Sequence, residues 1–285
     1  MDPGLNTVLN GCSTCRRTRT KGEEGQRQGD PGGTAIQEHK RVLRRWPCLV
    51  AKWVAYVWSM GVQVEVCVTS VNEAEAAAAY GVDSVEVCTW LACGGLTPSS
   101  GLVDAVRSAV RAPVRVLVRP SPNGFVYSPA EIHALLTDAE IFGGGAMGLV
   151  TGALGEDGSL NAALMRSVKQ LAPESEITFH RAIDHASDPL MIVEACVELG
   201  VDRILTSGGT TLAVDGIPTL KAMIERAGER CVVAIAGGVT PSNVVELVER
   251  TGALEVHFAA QRAIPANSMR ASLSSTNAGA TFLTE

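Results

Sequence analysis

Two copies of one tetrapeptide carry the densest chemistry in this chain, Val64-Glu-Val-Cys67 and Val85-Glu-Val-Cys88. Side chains alternate along an extended strand, so Glu65 shares a face with Cys67, and Glu86 with Cys88. If the two segments are adjacent parallel strands, about 4.8 Å apart, both sulfurs can reach a single soft ion. Thiolates select Cu(I), which accepts low coordination numbers. Cys93, in the segment after the second copy, is a candidate third thiolate. Free cysteines in strands also serve as small buried hydrophobes, and spacing alone leaves both roles open.

The other reactive side chains follow apolar runs in the same way. Arg119 ends Val114–Val118, while His180 and Arg181 end the run that starts at Ile177. His180 suits acid–base or ligand work, and Arg119 and Arg181 suit the grip on an anion. The same cations would serve equally well to neutralise Glu65 and Glu86 in a buried ion network. The pairs Gly208-Gly209 and Gly237-Gly238 offer backbone amides to a phosphate, although tight turns after strands need glycine anyway. Glu65, Glu86, Arg119, His180 and Arg181 are therefore the candidates for catalysis, the four glycines for anion binding, and Cys67 and Cys88 for metal. Cys12-x-x-Cys15 has no second pair in range for a zinc site. Cys196 and Cys231 read as packing residues, and His133 and His185 as surface or loop residues.

Positioning these groups requires a repeated strand. After Met60, β-branched apolar runs occur at 64–68, 84–88, 114–118, 147–151, 177–180, 203–206, 231–236 and 254–259. Helical stretches separate them, at 71–80, 101–110, 129–142, 162–171, 189–199, 217–227 and 241–250. Ser70-x-x-Glu73 and Ser128-Pro-x-Glu131 predict capping boxes, while Asp188-Pro189 and Thr240-Pro241 place a cap residue before proline at a first turn. Strands alternating with helices imply a parallel sheet covered on both sides. Eight is the closing number, so the expected fold is an α/β (β/α)8 TIM-type barrel, with function on the loops after the strands. Residues 263–285 are rich in Ser, Ala and Asn, so the closing helix is expected to be short or incomplete.

Composition narrows the function classes. The chain has 285 residues and a net charge of −6, enough length for one large core. Residues 1–60 hold ten Lys and Arg against five Asp and Glu, whereas the remainder holds fourteen against twenty-five. So acidic a body argues against nucleic-acid binding. No run of 18 apolar residues is present, which argues against a membrane span. A core of this size needs no disulfide staples, so reduced thiols in the cytoplasm are expected. Three regions follow: residues 1–60 as a disordered basic extension, 61–262 as the barrel, and 263–285 as a C-terminal tail.

Several strings together resemble the copper homeostasis protein CutC family. They are the two Val-Glu-Val-Cys copies, Gly94-Gly-Leu-Thr-Pro-Ser99, Val118-Arg-Pro120, Thr178-Phe-His-Arg-Ala-Ile-Asp184, Leu205-Thr-Ser-Gly-Gly209, Gly237-Gly-Val-Thr240 and Glu255-Val-His257. The resemblance implies a TIM-type barrel, a cytoplasmic setting, Cu(I) bound by Cys67 and Cys88, and a homo-oligomer. It implies no established catalytic reaction. A barrel enzyme or sensor for a small anionic metabolite, phosphorylated or not, is the alternative. The chain departs from the family pattern at Ser121-Pro-Asn-Gly124, Thr69, Thr89-Trp-Leu-Ala-Cys93 and Phe258-Ala-Ala260. The lost polar groups weaken catalysis more than thiolate binding.

Overall fold

The computed structural model describes residues 57–145, 147–259, 262–263 and 282–283. Eight parallel strands close in sequence order: β1 Gln63–Val68, β2 Ser84–Val87, β3 Val114–Leu117, β4 Gly148–Thr151, β5 Ile177–Phe179, β6 Arg203–Thr206, β7 Val232–Ile235 and β8 Glu255–Ala259. Closure is made by β1 against β8, from Gln63 opposite Glu255 to Cys67 opposite Ala259. Seven helices fill the crossovers: α1 Val71–Ala79, α2 Ser100–Ala109, α3 Pro129–Gly143, α4 Ala162–Leu171, α5 Pro189–Glu198, α6 Ile217–Ala227 and α7 Val244–Thr251. The expected (β/α)8 barrel is thus the fold. The place of a closing helix after β8 lies outside the described residues, apart from Arg262–Ala263, which pairs antiparallel with Phe282–Leu283.

Alternation along the strands makes two separate interiors. Val64, Val66, Val85, Val87, Val116, Ile204 and Ile235 are fully or almost fully buried in one large apolar cluster shared with Val103, Leu135, Val168, Leu220 and Leu247 from the helices. The intervening residues face the barrel axis, and there the polar side chains collect. Cys196 and Cys231 belong to the outer apolar cluster, which is the packing role expected of them.

Local signals mostly hold, with informative exceptions. Ser128 and Glu131 form the full capping box of α3. At α1 Ser70 accepts from the Glu73 amide, but the Glu73 carboxylate turns back to the Thr69 amide and hydroxyl, so only half the box forms. Asp188 caps α5 as expected. Pro241 does not open α7. Thr240 donates its amide to the Asn243 side chain, Asn243 Nδ2 donates to the Gly238 carbonyl, and the helix starts at Val244. Packing also begins before Gly61: Val57 is buried, and Trp58 Nε1 donates to Asp83 Oδ2 at 3.0 Å. Residues 1–56, which include Cys12, Cys15 and most of the expected basic extension, lie outside the described residues.

Candidate metal centre

The lower part of the barrel is filled by charge. Glu65 is fully buried on β1 and reaches strands that are not its neighbours. Its Oε1 accepts from Arg203 Nη2 on β6 at 2.7 Å and lies 2.8 Å from His257 Nδ1 on β8. Its Oε2 accepts from Arg115 Nη1 on β3 at 2.5 Å and from Ser84 Oγ on β2 at 3.1 Å. Glu255 bridges the same two guanidiniums, 2.7 Å from Arg203 and 3.5 Å from Arg115. Arg115 also makes a two-pronged contact with Glu176 at the barrel floor. Burial raises the Glu65 carboxyl, but Arg203, His257 and Arg115 together hold it well below the usual carboxylate range. Burial opposes the charge on His257, and Glu86 and Glu65 outweigh it, so the imidazole is raised.

Above this network sit the thiols. Cys67 is opposite Glu86 in the ladder, so Cys88 lies one inward-facing step higher. The barrel stagger therefore sets the sulfurs on a diagonal, 3.0 Å apart. Both are buried, with Leu117 and Val150 packed beside them. Glu86 Oε1 accepts from Cys67 Sγ at 3.5 Å, while Glu86 Oε2 is buried with no partner. The Cys67 thiol is raised well above its ordinary value, first by its bond to Cys88 and then by burial. Burial, reinforced by the Glu65 charge, also raises Glu86. Cys67, Cys88 and Glu86 offer three ligand atoms within 4.8 Å of one another. Cys93 is not part of that cluster. It lines the cavity above, with its sulfur turned to the Trp90 carbonyl at 3.1 Å.

The cavity over the thiols measures about 540 Å³ and is bordered by Cys67, Glu86, Arg119, Phe125, His180 and Gly238. Arg119 does not neutralise Glu65 or Glu86. Its guanidinium donates to the carbonyls of Cys93, Gly95 and Pro122 and lies 4.9 Å over the Phe125 ring. It clips the loops after β2 and β3 together and has no ion pair among the described residues. His180 accepts the Ala182 amide at Nδ1, which puts the proton of the neutral ring on Nε2, buried and without a partner. Burial, and secondarily Arg119, depress its pKa to about 3. The ring is wedged against Gly152, where a Cβ would lie 2.7 Å from Nδ1.

The glycine pairs diverge. Asp184 accepts from the Ser207 and Gly209 amides, from the Thr206 and Ser207 hydroxyls, and from Arg181 Nε. An internal carboxylate thus takes the Gly209 amide, the Gly208 amide donates to Thr206 Oγ1, and Arg181 belongs to that cluster. Gly237 and Gly238 remain on the cavity wall. Sequence reasoning singled out neither Arg115, Arg203 nor Glu255. The available signal was a charged residue inside an apolar strand, in phase with Glu65: Val114-Arg-Val116, Arg203-Ile204 and Glu255-Val256.

A family model matches residues 62–262, and its description is CutC family. The chain belongs to this family. It is 41% identical over 204 residues to a human copper homeostasis protein cutC homolog, covering 70% of this chain and 74% of that one. A CutC family protein from Mesorhizobium japonicum is 37% identical over 203 residues, covering 71% and 79%. Among solved structures, a Streptococcus agalactiae chain described as a copper homeostasis protein CutC superposes with a TM-score of 0.63 at 26% identity, covering 69% of this chain and 97% of its own. Among the described residues of this CutC-family chain, no helix is long and apolar enough to cross a membrane.

Two predictions follow from the interior. Glu65→Gln leaves Arg203, Arg115 and a charged His257 short of a buried counter-ion. Urea unfolding should show a loss of about 3–5 kcal/mol. His180 is neutral in the fold and titrates near 6.5 when unfolded. Because its folded pKa is the lower one, its contribution is complete above about pH 6.5 and is lost as pH falls towards 3. His257, with a raised folded pKa, is charged in both states below about 6.5 and adds no slope there. His180 thus lowers wild-type stability as pH falls from about 6.5 to 4.5, the raised Glu86 carboxyl works in the opposite direction, and His180→Asn should remove the His180 part of the slope.

Proposed function

We propose that this chain is a cytoplasmic copper homeostasis protein that binds Cu(I) through the thiolates of Cys67 and Cys88. The observation that carries the reading is the pair of buried sulfurs 3.0 Å apart beneath an accessible cavity. Metal–sulfur bonds of about 2.3 Å need sulfurs roughly 4 Å apart for trigonal coordination. The pair must open by about 1 Å, which modest side-chain rotation supplies. The raised Cys67 thiol holds its proton at rest, so uptake displaces that proton. The soft donors match Cu(I), and the apolar neighbours Leu117 and Val150 keep competing water away. All five described cysteines are free thiols, as a reducing compartment requires. The names of the human relative and of the Streptococcus agalactiae chain support the copper homeostasis part of this reading.

The reading is tested by anaerobic Cu(I) titration against a chromophoric chelator. Cys67→Ser/Cys88→Ser should lose one equivalent of tightly held Cu(I). Undiminished stoichiometry in that variant would overturn the assignment.

A second reading is favoured by Arg119, a buried guanidinium without a carboxylate partner, together with the unpartnered Nε2 of His180. Both border the cavity, and Gly237 and Gly238 lie across it. A small anionic metabolite, phosphorylated or not, would find positive potential and hydrogen-bond donors there. Inorganic phosphate should raise the melting midpoint of the wild type, and His180→Asn should reduce that rise. A midpoint insensitive to phosphate and to phosphorylated metabolites would count against a ligand at the mouth.

A further inference from the structure

Two groups of three ligand-bearing residues lie in the barrel, and they are not equivalent. In Glu65, Glu86 and His257 the Glu65 carboxylate has about four lone-pair sites. Arg203, His257, Arg115 and Ser84 already use four. Its positive charge is supplied by guanidiniums, and no room is left for an ion. In Cys67, Cys88 and Glu86 the opposite holds. Among the described residues, one Glu86 oxygen touches only a thiol, and the other is buried with no partner. Leaving a carboxylate oxygen unbonded in the interior is costly, and a cation between Glu86 and the sulfurs would satisfy it.

We propose that Glu86 is the third ligand of this centre and that the centre also holds a divalent ion of borderline softness, of which Zn²⁺ is the representative. This rests on the reading of Cys67 and Cys88 as metal ligands and extends it to a different ion. Two thiolates alone suit a soft monovalent ion, whereas a carboxylate oxygen added to them makes the S₂O donor set of zinc chemistry. The separation between Glu86 Oε1 and Cys67 Sγ is 3.5 Å. With bonds of about 2.1 and 2.3 Å, that separation subtends about 105° at a shared ion, near the tetrahedral value. The ladder fixes this approach, because Glu86 stands opposite Cys67. Glu86 and Cys67 both border the cavity, so the fourth position opens towards it and is free for water or an anionic ligand. Three protein ligands and one open position is the arrangement of reactive rather than structural zinc sites.

The test uses the full chain, anaerobic and reduced, with Co²⁺ and Zn²⁺ as probes. Co²⁺ should give sulfur-to-cobalt charge-transfer absorption with intense tetrahedral d–d bands, and Zn²⁺ should bleach both. Glu86→Gln should weaken Zn²⁺ at least about tenfold, a loss in the range known for disrupted metal surroundings. Its Cu(I) affinity should change less than its Zn²⁺ affinity, because a soft ion gains less from a carboxylate oxygen. Glu86→Asp, which keeps the charge, should fall between wild type and Glu86→Gln, and thermal melts identify any variant that fails to fold. Unchanged Zn²⁺ affinity in folded Glu86→Gln overturns the proposal, as does cobalt absorption that survives in Cys67→Ser/Cys88→Ser. Cu(I) binding that depends on the cysteines, with no zinc effect at Glu86, would leave the copper reading intact and remove only this one. Zinc binding without Cu(I) binding would do the reverse.

Discussion

The carboxylate of Glu65 is the contact on which the barrel interior depends. It is fully buried and takes bonds from three strands besides its own neighbour contact with Ser84. Arg203 and Arg115 cannot be desolvated alone, and neither can Glu65 and Glu255; only the assembled set is tolerable in a low-dielectric core. Many barrels fill this space with branched apolar side chains. Here the packing is ionic, and its geometry is more demanding. Each guanidinium must meet two carboxylates from different strands, which couples the register of β1, β3, β6 and β8.

That coupling explains how the thiol pair is held. Cys67 is two residues beyond Glu65, and Cys88 two beyond Glu86, so the ionic layer sets the height of the layer above it. Arg203 and His257 are drawn towards Glu65 and away from the sulfurs. The thiols then face a region where Leu117 and Val150 are the packing partners and Glu86 is the polar one. Two soft sulfurs thus sit in an apolar wall above a floor whose guanidiniums are already paired with carboxylates.

The mouth is organised by loops rather than by strands. Arg119 ties two loops through carbonyl oxygens, and Asp184 gathers the turn after β6 around itself. Arg119 and the glycine turn after β6 both look like anion-site components when only residue types are considered. Arg119 keeps its unbalanced charge, whereas the Gly209 amide is taken by the Asp184 carboxylate and the Gly208 amide by the Thr206 hydroxyl.

Much of this was legible from the chain alone. The repeat of apolar strands and capped helices determined a closed eight-fold barrel, because the periods of 2 and 3.6 are local properties of the backbone. Alternation within Val64-Glu-Val-Cys67 and Val85-Glu-Val-Cys88 correctly placed each Glu with its Cys. The partners of those residues were not legible. Arg115, Arg203 and Glu255 meet Glu65 across sequence separations that no local pattern encodes, so the cations expected to neutralise it were sought at Arg119 and Arg181 instead. The diagonal offset that brings Cys88, rather than Cys93, against Cys67 comes from barrel stagger. The open oxygen of Glu86 and the occupied amide of Gly209 likewise exist only once the barrel has closed, because hydrogen-bond satisfaction belongs to neighbours in space and not in sequence.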